Sequence, residues 1–414
     1  MVLDNGVVVV SQHYPHACGV SIGVWVRVGS CHEPLKQGGI SHFIEHMVFK
    51  GTEKRSALDL VTELESVGGE LNAFTDKEWT CYHALVLREN LPLAVDILSD
   101  LVINPTFPRV EVEREKKVLL QEMAMVEEAP DEWVTDELLK SVWKGEPLGP
   151  SVIGTKKSVK GTSRADLLKF FRQHYRPENI VVSVAGNFDF NQLKESCEKY
   201  FVFPSKQKTI PLAAPTSVYK PKRKHIGAKT EQTHLLIAFE GLGFRSEDRF
   251  AVLLLSYYLG GGMSSRLFQE VRENAGLAYA VDCDPLPFTD TGLFCVYAGL
   301  TAKTLSKCLG IVGRELQTTV DKGVPEKDLE RIKNQVCGGL LLGSEDMESR
   351  QESLGRNEIV FGNHIPISET AAAIRNVDPG LVHEVAKRII RPERESVFTL
   401  GPSVPKKKRL SLFQ

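Results

Sequence analysis

Apolar and polar positions alternate with a period of two over residues 6–12 and 20–29, and again over 69–75 and 80–88. That spacing predicts strands with one face on a core. Between and after these runs the period lengthens to that of an amphipathic helix, over 38–50, 56–68, 91–102, 108–127 and 131–142. Strands in alternating pattern with few strand–helix–strand crossovers predict an α+β sandwich rather than a doubly wound parallel sheet.

The pattern then recurs. Residues 167–187 read LLKFFRQHYRPENIVVSVAGN and residues 382–402 read VHEVAKRIIRPERESVFTLGP. Each is an amphipathic helix, an Arg-Pro-Glu break and a β-branched strand ending at Gly. At an offset of 217, VEREKKVLLQEM after Phe107-Pro108 matches LERIKNQVCGGL after Val324-Pro325. Two copies of one ancestral α/β unit follow, near 1–205 and 225–414, joined by a Pro-, Lys- and Ser-rich linker over 206–224.

Composition adds exclusions. The 414 residues exceed one ordinary core. With 42% hydrophobic and 25% charged residues and a formal charge of -2, the chain reads as globular and as a poor ligand for nucleic acid. No apolar run reaches the about 18 residues of a membrane span, and the start MVLDNGVVVVSQ has the form of a strand rather than a targeting peptide. The eight cysteines are scattered without a CxxC pair, as buried thiols of a reducing compartment are. A bacterial cytoplasm, or an organellar matrix for a matured form, is the expected location. The basic run in PKKKRLSLFQ reads as a solvated terminus.

Chemistry concentrates in GGISHFIEHMVFKGT. His42 and His46 are four apart on a predicted helix, so both imidazoles leave one face and can reach one tetrahedral ion. Glu45 beside them can take a proton from water at such a centre. A bare HxxEH also fits a polar turn whose Phe43, Ile44, Met47 and Val48 face a core. A third ligand decides between these readings, because a hydrolytic zinc site keeps three protein ligands and one open position. The helix 108–127 and the residues just beyond it offer Glu111, Glu113, Glu115, Glu122, Glu127 and Glu128. Of these, Glu122 lies between Leu119-Leu120 and Met123 in a segment expected to be buried, where a carboxylate is costly unless paired or metal-bound. Glu115, two helical turns earlier on the same face, is placed to orient a ligand histidine.

The repeat acts as an internal control. At the offset of 217, Glu122 maps to Gly339 and Glu115 to Ile332, whereas the surface pair Glu113-Arg114 maps to Glu330-Arg331. The HxxEH region maps near SYYLGGG, which has no histidine. Metal-type residues are thus confined to the first copy.

These segments, with ESVGGELNAFTDKEWTCYHA, VEREKKVLLQEMAM and SSRLFQEVRENAGLAYAV in matching order, resemble the pitrilysin/insulinase family of inverzincin peptidases. Within it they look most like the mitochondrial-processing-peptidase branch of two-domain subunits. The resemblance implies two homologous α/β sandwich domains forming half of a clamshell, the first (1–205) catalytic and zinc-binding, the second (225–414) without metal. It implies zinc on His42, His46 and Glu122, Glu45 as base and Glu115 as a supporting carboxylate. The strand Leu71-Asn72-Ala73-Phe74-Thr75 would take an extended peptide as an added strand, although Asn72 also suits a strand-end residue that caps its neighbours. Arg272 and Tyr279 match the pair that reaches the substrate carbonyl from the second half, Tyr279 at the oxyanion and Arg272 on the peptide.

A closed chamber in this family takes four such domains, so a second chain is implied: a homodimer with Arg272 and Tyr279 acting in trans, or a heterodimer with a homologous subunit. GGGMSSR is shorter than the glycine-rich loop of the family's presequence-recognising, noncatalytic subunit. The expected activity is a zinc endopeptidase acting on extended or presequence-like peptides. The alternative is a structural subunit of the same fold, as in a respiratory-complex core, which has no need of the metal set.

Overall fold

The computed structural model describes residues 1–203, 217–402 and 412–413. The basic run of the tail and residues 206–216 of the expected linker lie outside the described residues. The rest of that linker is no free spacer. Tyr219 is buried and its hydroxyl contacts Ser396 Oγ at 2.6 Å and Ala238 O at 3.1 Å, and a strand begins at Arg223.

The first half runs β1 (Val8–His13), β2 (Gly19–Val26), α1 (Ile40–Val48), α2 (Ala57–Glu65), β3 (Glu70–Thr75), β4 (Thr80–Leu87), α3 (Leu91–Ile103), α4 (Arg109–Glu128), α5 (Pro130–Val142), α6 (Lys156–Gly161), α7 (Arg164–His174), β5 (Ile180–Gly186) and α8 (Phe190–Tyr200). The second half runs β6 (Arg223–Gly227), β7 (Thr233–Gly241), α9 (Arg249–Gly260), β8 (Ala278–Pro287), β9 (Gly292–Leu300), α10 (Leu305–Lys322), α11 (Glu326–Gly343), α12 (Met347–Phe361), α13 (Ile367–Asn376), α14 (Pro379–Ile389) and β10 (Ser396–Gly401). Every element expected before residue 143 is present, with its ends shifted by up to three residues.

The duplication is explicit in the sheets. One has the order β1-β5-β2-β4-β3 and the other β6-β10-β7-β9-β8. In both, the first strand pairs parallel and the remaining neighbours pair antiparallel. The Arg-Pro-Glu breaks become single 3-10 turns, Pro177–Asn179 and Pro392–Arg394, that feed β5 and β10. The HxxEH helix α1 has α9 as its counterpart between the second and third strands of each copy.

Contacts divide the chain into two compact units, each of three segments: 1–124, 150–215 and 343–365 in one; 125–149, 216–342 and 366–414 in the other. The contiguous spans 1–205 and 225–414 therefore do not coincide with the compact units. Each unit takes one helix from the other half of the sequence, α12 onto β2 and β5, and α5 onto β7 and β10. The physical reason is burial on both faces. β5 is buried at every position and β2 at all but its first. One face packs on helices of its own half, such as α3, so the other needs a second cover. α12 fits closely because Gly23 and Gly355 lack side chains: a Cβ on Gly23 would meet Gln351 Nε2 at 1.9 Å, and one on Gly355 would meet Trp25 Nε1 at 2.1 Å. Gln351 and Trp25 both donate to Ser183 Oγ, at 2.6 and 2.9 Å.

In the second unit, burial together with Asp284 and Asp131 pushes the Asp282 carboxyl from 3.8 up to about 6. An acid raised on folding costs nothing below its unfolded value and its full penalty above its folded one, so this cost grows between pH 4 and 6. A rise of that size sets a ceiling of about 3 kcal/mol; the carboxyl is partly solvated, which brings the cost to about 1 kcal/mol. Asp282→Asn is expected to raise the thermal midpoint at pH 7 and leave it nearly unchanged at about pH 3, as calorimetry at the two pH values would show.

Among the described residues no helix is long and apolar enough to cross a membrane. All eight cysteines are free thiols, and of them Cys18 alone is exposed.

Candidate metal centre

α1 is short, and one side of it is committed to the core: Ile40, Phe43, Ile44, Met47 and Val48 are fully buried. The opposite side carries His42 and His46 one turn apart, ring centroids 4.6 Å from each other. α4 crosses them. Its start is fixed by Phe107, which adopts φ +46° and packs edge-on against Phe171, while Arg164 donates to the carbonyls of Thr106 and Phe107 at 2.9 and 2.6 Å. From that start, Val112, Leu119 and Met123 turn into the core, and Glu115 and Glu122, seven residues apart, share the side that meets α1.

His42 Nε2 lies 3.7 Å from Glu122 Oε1, and His46 Nε2 lies 3.5 Å from Glu122 Oε2. The three residues form a group whose ligand atoms all lie within 4.8 Å of one another. Tetrahedral zinc with bonds of about 2.0–2.2 Å separates its ligands by about 3.3–3.6 Å, close to the two spacings observed. Glu122 Oε2 is buried with no hydrogen-bond partner among the described residues, as is His42 Nδ1. Two imidazole nitrogens and an unsatisfied carboxylate oxygen converging on one point fit a divalent cation of zinc's type.

His46 Nδ1 donates to Glu115 Oε1 at 2.9 Å, which leaves Nε2 as the ring's acceptor toward the ligand group. Lys50 binds the other oxygen of Glu115, also at 2.9 Å. Burial lowers the basicity of His42, helped by the neighbouring His46, and its pKa falls to about 3. Burial also acts against charge on His46, but the bond it donates to Glu115 and the fields of Glu122, Glu45 and Glu115 outweigh it and raise its pKa. The group is thus a neutral, metal-ready imidazole beside a place that favours positive charge.

Glu45 faces the same region. Burial raises its pKa, opposed by a hydrogen bond that Thr75 Oγ1 donates to Oε2 at 2.5 Å. Thr75 ends β3, whose outer edge has no partner strand among the described residues. Leu71, Asn72, Ala73 and Phe74 lie along this edge, beside a cavity of about 370 Å³ lined by Phe49, Leu64, Leu71, Asn72, His83 and Glu348. Asn72 Oδ1 accepts the backbone N–H of Ala73 at 2.8 Å, a local bond made from inside β3 and not from the strand end expected for it.

One expectation is corrected. Glu122 does not sit in a buried segment: its side chain is 37% exposed, whereas that of Glu115 is 5% exposed. The apolar neighbours Leu119 and Met123 point to the core, but Glu122 projects at the rim of the α1–α4 contact, where solvent reaches it. In the second unit, Arg272 and Tyr279 are together, the guanidinium 5.0 Å from the Tyr279 ring centroid and 4.8 Å from that of Phe268. Arg272 rides on a π-helical turn, Phe268–Glu273, and Tyr279 is 75% exposed on the edge strand β8. The contacts of Thr75 with Glu45 and of Lys50 with Glu115 went unread in the sequence. Lys50 could have been found, since it follows His46 by four residues, the spacing of one helical turn.

Known proteins resemble this chain in sequence and in fold. The family model described as "Insulinase (Peptidase family M16)" matches residues 8–156, and "Peptidase M16 inactive domain" matches 162–336. An uncharacterized zinc protease of Bacillus subtilis is 37% identical over 402 residues, covering 97% of each chain. Another, of Streptomyces coelicolor, is 37% identical over 407 residues, covering 97% of this chain and 88% of its own. Among solved structures, a protease from Helicobacter pylori has TM-score 0.90 at 20% identity, covering 97% of this chain and 98% of its own. A chain in complex III2 from Candida albicans has TM-score 0.85 at 20% identity, covering 99% and 98%. At such identities the structural likenesses speak for the fold.

Proposed function

The chain belongs to the insulinase family of peptidases, M16, and from that premise we propose that it is a zinc-dependent endopeptidase of extended peptides. The observation that carries this reading is the convergence of His42, His46 and Glu122 within 4.8 Å, with Glu45 beside them. A zinc ion held by these three side chains supplies Lewis acidity toward a scissile carbonyl and toward water. Glu45, oriented by Thr75, takes the proton from the attacking water at its carboxylate and returns it to the leaving amine. Glu115 holds His46 through Nδ1 and is held in turn by Lys50.

The substrate adds as a strand to the free edge at Leu71, Asn72, Ala73 and Phe74, with one side chain in the cavity beside it. Backbone pairing gives affinity without regard to sequence, and the cavity gives preference. Arg272 and Tyr279, pre-assembled by their stacking, steady the peptide and the oxyanion from a second chain of a homodimer. In this reading the first sequence half, 1–205, carries catalysis and the second, 225–414, completes a chamber that admits presequence-like peptides. A purely structural role on the same fold has no use for three converging ligands.

The test is a quenched-fluorescence peptide assay on the purified protein. Cleavage should stop with a zinc chelator and return when zinc is restored. Cleavage that persists in metal-free protein, or none with zinc stoichiometrically bound across a varied peptide library, ends the proposal.

A further inference from the structure

His42 and His46 are oriented by different means. His46 is held from outside the helix by Glu115 at 2.9 Å, whereas His42 Nδ1 has no partner among the described residues. Among these residues no hydrogen bond from outside the helix therefore fixes the His42 ring, and its direction depends on the backbone that carries it. His42 is the third residue of α1, within the first turn, where amides have no intrahelical acceptor and fray unless capped. The N-cap position is Gly39, at φ +91°, which has no side chain to supply a cap.

The missing acceptor comes from upstream. Glu33 Oε2 accepts the N–H of Gly39 at 2.7 Å and Glu33 Oε1 accepts the N–H of Ser41 at 2.8 Å. One carboxyl thus ties the cap residue and the residue before His42 together. Its own loop is pinned: Ser30 N donates to Asp76 O at 3.1 Å and Cys31 N to Lys77 O at 2.8 Å, in the turn that follows Thr75. Glycine is required at the cap, since a Cβ on Gly39 would meet Ile153 O at 2.7 Å. Burial pushes the Glu33 carboxyl up to about 8, with the amides of Ser41 and Gly39 pulling the other way. Its contribution is these two bonds, in both of which a Glu33 oxygen is the acceptor.

We propose that Glu33 is a positioning residue for the metal centre, holding the first turn of α1 so that His42 is preset toward Glu122 and His46. This rests on the zinc reading above, yet it is tested without cleavage. Zinc dissociation constants are measured on the full chain by competition with a fluorescent chelator. Glu33→Ala is expected to weaken zinc roughly 10- to 100-fold, the range for losing an outer support of a ligand. Glu33→Gln, which keeps one acceptor, should lose less, with faster hydrogen exchange at the Gly39 or Ser41 amide. Asp189→Ala is the control. Asp189 caps α8 by accepting from Gln192 N at 2.9 Å, a comparable loss remote from α1, and should leave zinc affinity unchanged.

If Glu33→Ala does not fold, Glu33→Gln decides. Wild-type zinc affinity in the folded Glu33 variants, or an equal loss in Asp189→Ala, overturns the inference. A wild-type protein that binds zinc and cuts no peptide overturns the proposed activity alone.

Discussion

Glu45→Gln is expected to lower peptide turnover by about 100- to 10,000-fold, the span for removing a general acid–base group, with zinc still bound. Gln is nearly isosteric and can still accept the hydrogen bond from Thr75, so the packing of α1 survives while the proton acceptor is lost. The proposed ligand atoms belong to His42, His46 and Glu122, which the substitution leaves in place. Steady-state kinetics with parallel metal analysis reads both quantities. Near-normal turnover in zinc-loaded Glu45→Gln protein would rule out Glu45 as the base.

The second large effect falls on the metal itself. Apparent zinc-binding free energies of about 10–16 kcal/mol over four ligands put one ligand at about 3 kcal/mol, roughly a hundredfold in affinity. Glu122→Ala should lose at least that and leave purification substantially metal-free and inactive. Its fold should persist, because the side chain is 37% exposed and, among the described residues, has no hydrogen bond supporting another element. Thermal unfolding of the metal-free proteins separates these effects: wild type and variant should melt within a few degrees of each other. Wild-type zinc content in Glu122→Ala would show that the third ligand lies elsewhere.

Much of this centre was legible along the chain. The i, i+4 spacing of His42 and His46 needs nothing beyond helical periodicity, and the spacing of seven from Glu115 to Glu122 puts both on one face of α4. The loss of both carboxylates at Gly339 and Ile332 separated them from the surface glutamates of the same helix. The reason offered for Glu122, burial, was nevertheless incorrect for that residue and fits Glu115 better. Neighbours in sequence report which face of a helix is apolar, but not how far a side chain at the boundary projects beyond the contact.

Local order in the sequence was enough for the strands, the helices, the duplication and the two histidines, because each depends on periodicity or on short-range backbone chemistry. Tertiary structure alone decided that α12 covers the first sheet and α5 the second, that Thr75 reaches Glu45, and that Glu33 caps the helix carrying His42. An amphipathic pattern states that a face is buried without naming its cover, and a carboxyl states that it needs donors without naming them. Those partners are set by how the chain closes in space.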